Sequence, residues 1–169
     1  MFRQNHHAFT LVELLITLSL ISILGLIATP NLTHLFEQNR IYALRDQLKA
    51  HLHLARVNSV FHNRDIELCG SSDGKLCDDQ WQRGWIVRFV SNNQIIHQIQ
   101  LSSQDRIAWA GASHKIRFHS NGTSPLGNGR FYICDKNQAV ALQIVINRQG
   151  RVRQTSGLEA GQDQSIKCK

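Results

Sequence analysis

From Leu14 to Phe36 the chain carries not one formally charged side chain, and residues 14–29 read LLITLSLISILGLIAT. A helix rises about 1.5 Å per residue, so this run, extended back to Phe9, is long enough to cross a hydrocarbon core of roughly 30 Å. A segment that is apolar all round has to be surrounded by lipid or by other protein. The pattern predicts one apolar span at residues 9–30, behind a short basic leader at residues 1–8, and a polar domain after it.

The helical pattern continues beyond Pro30, which follows directly on the apolar run. Ile41, Leu44, Leu48, Leu52 and Ala55 recur at spacings of three and four, while Arg40, Arg45, Lys49 and Arg56 take the other faces. One long helix is expected from Phe9 to His62, bent near the proline, with residues 31–62 as its amphipathic half.

From Ile66 the texture changes to β. Trp85–Val90 and Gln94–Leu101 flank Ser91-Asn-Asn93, a hairpin signal. His114–His119 alternates, with Ile116 and Phe118 on one face and Lys115 and Arg117 on the other. Strands at Arg130–Cys134, Ala139–Ile146 and Arg151–Thr155 follow. Short antiparallel strands packed on an amphipathic helix make an α+β fold, with the globular β domain at residues 63–169.

Cys69, Cys77, Cys134 and Cys168 all follow the apolar helix, on its exported side. An even count there implies two disulfides, with three pairings possible. Cys69 and Cys77 bracket the turn-rich SSDGKL; pairing them leaves Cys134 for Cys168. There is no C-x-x-C and no close Cys/His spacing, so no metal is expected. The nine histidines make no H-E-x-x-H arrangement, and no nucleophile–base order or Gly-rich phosphate loop is present. No catalytic residue and no cofactor are expected.

The net charge of +7 is unevenly placed. Between Arg106 and Leu158 eight basic residues face Asp135 alone, so this stretch carries the whole excess. Such asymmetry points to a polyanionic partner. Its densest part is Ile144-Val-Ile-Asn-Arg148-Gln-Gly-Arg151-Val-Arg153. Alternation puts Arg151 and Arg153 on one strand face with Val152 turned to the core. Arg148 falls in the connecting turn, where Gly150 permits the tight geometry. Three guanidinium groups are then displayed without an acidic neighbour, and each is a planar fork suited to phosphate oxygens. Lys115 and Arg117 repeat the device on another strand, and Lys167 and Lys169 add charge to the tail.

The start of the helix, His7-Ala-Phe-Thr-Leu-Val-Glu13, resembles the type IV pilin and pseudopilin family. Its signature is a basic leader, a small residue, then F-T-L-x-E opening a long apolar helix, with a proline about two dozen residues on. Ala8 stands at the small position, where glycine is more usual. The resemblance implies that a prepilin peptidase cuts after Ala8 and that Phe9 becomes the N-methylated first residue. It also gives Glu13 a role: pairing with a neighbouring subunit's free amine as subunits join a filament. A carboxylate inside an apolar helix costs about 2.5–3.5 kcal/mol at a bilayer centre, so it calls for such a reason.

The order of helix then sheet looks like the GspH/FimT branch of minor pilins and pseudopilins. Gly150-Arg151-Val152-Arg153 resembles the G-R-x-R motif of its FimT members. That likeness implies a minor pilin binding DNA without sequence preference, through Arg148, Gly150, Arg151 and Arg153 with Lys115 and Arg117, in natural transformation. It implies an inner-membrane precursor with a periplasmic domain, and an extracellular subunit once the pilus is assembled. The alternative is a purely structural minor pilin, or a type II secretion pseudopilin, that binds no nucleic acid.

Overall fold

The computed structural model describes residues 10–163 and residue 168, apart from the side chains at 27, 28, 30 and 31. The leader, the expected cleavage site at Ala8 and Phe9, the Pro30 ring, Lys167 and Lys169 lie outside the described residues. Two compact units divide the chain, Met1–Gln38 and Asn39–Lys169.

A single helix, α1 (Leu11–Phe61), begins in the first unit. Thr10 caps it: its hydroxyl oxygen accepts from the Glu13 N–H and its carbonyl from the Leu14 N–H, both at 3.2 Å. Thr10 and Glu13 thus have the spacing of a capping box, and a carboxylate in the first turn complements the helix dipole. Thr17, Ser19 and Ser22 donate their hydroxyls back to the carbonyls of Leu14, Ile16 and Leu18, so these three hydroxyls are satisfied within the helix. Every large apolar side chain from Leu11 to Leu26 is more than half exposed. Among the described residues no helix is long and apolar enough to cross a membrane. The span expected at residues 9–30 includes position 9 and the side chains at 27, 28 and 30, which lie outside the description.

In the second unit the expected stripe is the buried face of α1: Ile41, Leu44, Leu48, Leu52 and Ala55 are all below 8% exposed. A fully buried leucine of this kind contributes about 1.5–3 kcal/mol. The helix stops at Asn63, whose φ of 50° turns the chain back. The Arg64 N–H then reaches the Ser59 carbonyl at 3.1 Å and the Asn63 N–H the Val60 carbonyl at 3.2 Å, closing the helix end.

Eight strands follow: β1 (Ile66–Gly70), β2 (Gly84–Phe89), β3 (Ile95–Gln100), β4 (Ile107–Gly111), β5 (Lys115–Phe118), β6 (Gly129–Cys134), β7 (Val140–Ile146) and β8 (Val152–Ser156). They form two antiparallel sheets of four, β3-β2-β1-β5 and β4-β6-β7-β8. The expected strands are present within a residue or two of their bounds. Of the other two, β1 falls where the sequence reading marked only a change to β texture from Ile66, and β4, Ile107-Ala-Trp-Ala-Gly, has no counterpart in it. Pairing with β6, which sets Trp109 against Phe131, makes it a strand. One core joins the α1 stripe to Ile66, Leu68, Trp85 and Phe118 of the first sheet and to Phe131, Ile133, Ile144 and Ile146 of the second. Trp109 belongs to this packing: its ring lies 4.5 Å from Phe131, and its N–H donates to the Ser113 carbonyl. The disulfides are Cys69–Cys77 and Cys134–Cys168.

Candidate nucleic-acid interface

On β5, Ile116 and Phe118 are buried, and Lys115 and Arg117 point outward, as alternation requires. Their outward face is not free of acid. β1 lies between β2 and β5, and its Glu67 stands opposite Arg88 on one side and Arg117 on the other. The Arg88 Nε and Nη2 donate to Glu67 Oε1 at 2.9 and 2.6 Å. Lys115 Nζ and Arg117 Nη2 reach Oε2 at 3.2 and 3.3 Å. Glu67 is only 2% exposed. Burial pushes its pKa up, but hydrogen bonds from Arg88 and Lys115 outweigh this and hold the carboxyl below its ordinary value. Three cations on one carboxylate leave this face net positive.

The β7–β8 hairpin turns at Asn147–Gly150, where the Gly150 N–H donates to the Asn147 carbonyl at 2.9 Å. Gly150 has a φ of 72°, and a Cβ there would stand 2.5 Å from the Gly122 carbonyl oxygen, so only glycine fits. Asn147 Oδ1 accepts from the Arg151 N–H at 2.9 Å, holding that residue just ahead of β8. Val152 stands opposite the buried Ile146, so its inward orientation is as expected. Arg148 and Arg151 are exposed, and neither guanidinium meets an acidic partner among the described residues.

Arg153 departs from expectation. Its Nη1 pairs with Glu159 Oε1 at 2.9 Å, and Arg130 pairs with the other oxygen of the same carboxylate. The eight-to-one charge imbalance ended at Leu158, one residue short of this partner. The tail is held by more than the Cys134–Cys168 bridge: Gln143 on β7 bonds both Gly157 and Gln162.

The two basic segments, separate in sequence, share one anchor. Ser124 is fully buried in the β5–β6 connection. Its hydroxyl donates to the Arg117 carbonyl at 2.7 Å and its N–H to the Arg148 carbonyl at 2.9 Å. The main chains of β5, which carries Lys115 and Arg117, and of the hairpin turn, which carries Arg148, therefore meet at one residue. Arg56 of α1 closes the same corner by donating to the Gly122 carbonyl at 3.0 Å. Two hollows open here: Lys115, Arg117 and His119 line one, and Arg130, Val145 and Arg148 line the other. Sequence reasoning missed Arg130, Arg88, Ser124 and Glu159. Only the two arginines carried a local signal, as charges at outward strand positions. Among the described residues no group of three or more His, Cys, Asp or Glu side chains is arranged to hold a metal ion.

Comparison with known proteins agrees with this architecture. A family model described as type II transport protein GspH matches residues 45–150, and a prokaryotic N-terminal methylation motif matches residues 3–29. No curated protein matches the chain. Among solved structures, the type IV minor pilin FimU of Pseudomonas aeruginosa superposes with a TM-score of 0.57, at 20% identity, over 70% of this chain and 90% of that one. The minor pseudopilin EpsH from the type 2 secretion system of Vibrio cholerae gives a TM-score of 0.53, at 12% identity, over 69% of this chain and 97% of that one. At these identities the likeness is one of fold.

Proposed function

This chain belongs to the GspH family, and from that footing we propose that it is a minor type IV pilin that binds DNA through its basic face. The methylation motif implies a membrane-anchored precursor that later joins a filament. The exposed apolar side chains from Leu11 to Leu26 supply a surface that only lipid or other subunits can cover. Residues 9–30 serve as a single span before assembly. The prepilin peptidase cuts after Ala8, Phe9 becomes the methylated terminus, and Glu13 meets the free amine of a neighbouring subunit. Intact-mass measurement of membrane-extracted protein tests this: the chain should begin at Phe9, and a chain beginning at Met1 rules out processing.

The observation that supports the DNA reading is the Ser124 anchor, whose two hydrogen bonds tie the main chains of β5 and of the hairpin turn together. Arg148 and Arg151 are its open charges, with Arg117, Lys115 and Arg153 as partly compensated ones. The binding mode is contact with backbone phosphates, because no recognition helix is presented and α1 already packs on the sheets. Such contact is indifferent to sequence and weakens with salt by about 0.9 per phosphate in log affinity per decade. Mobility shifts on duplexes of unrelated sequence should be equal, and Arg148→Gln or Arg151→Gln should weaken all of them alike. Shifts unaffected by both substitutions count against the reading.

A second reading has its own support. Glu67 and Glu159 absorb part of the charge that the sequence shows as excess. If the protein shifts no duplex at all, it is a structural minor pilin or a secretion pseudopilin, serving natural transformation in no direct way.

A further inference from the structure

The tail after β8 lies on the outer face of the second sheet, and one glutamine fastens it there. Gln143 is fully buried on β7. Its Nε2 donates to the Gly157 carbonyl at 2.6 Å and to Gln162 Oε1 at 2.8 Å. Gln162 Oε1 also accepts from the Glu159 N–H at 3.2 Å. The turn so built presents a carboxylate at a fixed place.

That place is between two arginines. Val145 on β7 stands opposite Arg130 on β6 and opposite Arg153 on β8, so the two guanidinium groups flank it in one cross-strand row. Glu159 lies over this row, with Oε2 at 2.5 Å from Arg130 and Oε1 at 2.9 Å from Arg153. Arg130 is itself aimed by a bond to Gln143 Oε1 at 3.0 Å. Two guanidinium groups, each on a separate oxygen of one anion, are the arrangement that also receives a phosphodiester. The open hollow lined by Arg130 and Arg148 adjoins this row and leads to the hairpin turn.

We propose that Arg130 and Arg153 form a phosphate subsite which Glu159 occupies from within the chain, so that nucleic-acid phosphate and Glu159 compete for the same two guanidinium groups. The identity of the polyanion rests on the DNA reading above; the phosphate chemistry of the subsite does not. Glu159 is about one-third exposed, on a surface turn, and it can leave the arginines without opening the core. The two hydrogen bonds, from Arg130 and then Arg153, keep its carboxyl charged to below the ordinary pKa, so it competes as an anion at neutral pH. Arg148 and Arg151 then make first contact, and the subsite adds phosphate contacts only once Glu159 is displaced.

The test uses the detergent-solubilised full-length chain, with anisotropy on a labelled duplex and calorimetry with inorganic pyrophosphate as probes. Glu159→Gln removes the competing charge. It should raise duplex affinity about three- to tenfold and steepen the salt dependence by about 0.9, one further phosphate. In an Arg153→Gln background the same substitution should bring no gain, a non-additivity that a merely structural Glu159 would not produce. A gain on pyrophosphate with no duplex binding by any variant keeps the subsite and removes the DNA reading. No gain on either probe overturns the subsite, and any duplex binding then belongs to Arg148 and Arg151 alone.

Discussion

The indole N–H of Trp85 donates to Nδ1 of His51 at 2.9 Å, joining β2 to the buried face of α1. His51 is 6% exposed, and the His97 ring stands against it at 4.2 Å. A histidine that accepts from an indole must be neutral at that nitrogen. Burial, with the neighbouring His97, lowers its pKa to about 4.

The bond predicts an acid-sensitive core. Between the unfolded value of about 6.5 and the folded value near 4, the unfolded chain binds the proton and the folded chain does not. Stability is therefore complete above about pH 6.5 and falls as the pH drops toward 4, by about 2–3 kcal/mol. Glu67 adds to the loss further down, since its lowered pKa makes its contribution fade as pH falls below 4.5. Urea midpoints measured from pH 7 to 4.5 should show the slope, and His51→Gln should flatten it. A slope unchanged in that variant would place the sensitivity elsewhere.

Ser124 predicts coupling between stability and binding. Ser124→Ala leaves the Arg117 carbonyl without its buried donor, which costs about 1–3 kcal/mol. Alanine keeps the main-chain N–H that holds the Arg148 carbonyl but loses the tie to β5, so duplex affinity should fall although no charge has been removed. Unchanged affinity in a folded Ser124→Ala protein would separate the two basic segments functionally.

The cations around Glu67 should not be equivalent. Arg88 holds Oε1 with two donors and is 14% exposed, whereas Lys115 is 42% exposed. Arg88→Met should cost about 1.5–3 kcal/mol, and Lys115→Met under about 1 kcal/mol. Duplex binding should show the opposite ranking, with Lys115→Met the more harmful. Urea unfolding beside mobility shifts of the same two variants checks both orders.

The two disulfides differ in the loop they close, separated by 8 residues for Cys69–Cys77 and 34 for Cys134–Cys168. Loop entropy then gives about 2.5 and about 4 kcal/mol respectively. Paired Cys→Ser variants compared by urea unfolding should lose stability in that order. Loss of the longer bridge should also loosen the tail that carries Glu159.

The helix was legible because its information is local. The 3.6-residue period of Ile41, Leu44, Leu48, Leu52 and Ala55 names the buried face whatever lies against it. Most strands followed from alternation in the same way. β4 did not, because Ile107–Gly111 becomes a strand only through its partner β6. Division of the strands into two sheets was likewise invisible, since both sheets show the same inward alternation to a single helix.

The sequence by itself determined the long N-terminal helix, the residues it buries in the globular unit, the outward placement of Lys115 and Arg117, and the glycine that lets the arginine hairpin turn. Each depends on periodicity or on backbone sterics within a few residues. Tertiary structure alone decided how much of the basic charge stays open. Coulomb compensation depends on distance in space, and folding carries Glu67 and Glu159 to arginines far from them in sequence. It also decided that one buried serine would draw two basic segments together, since a hydrogen bond needs its partners within about 3 Å and no spacing along the chain records that approach.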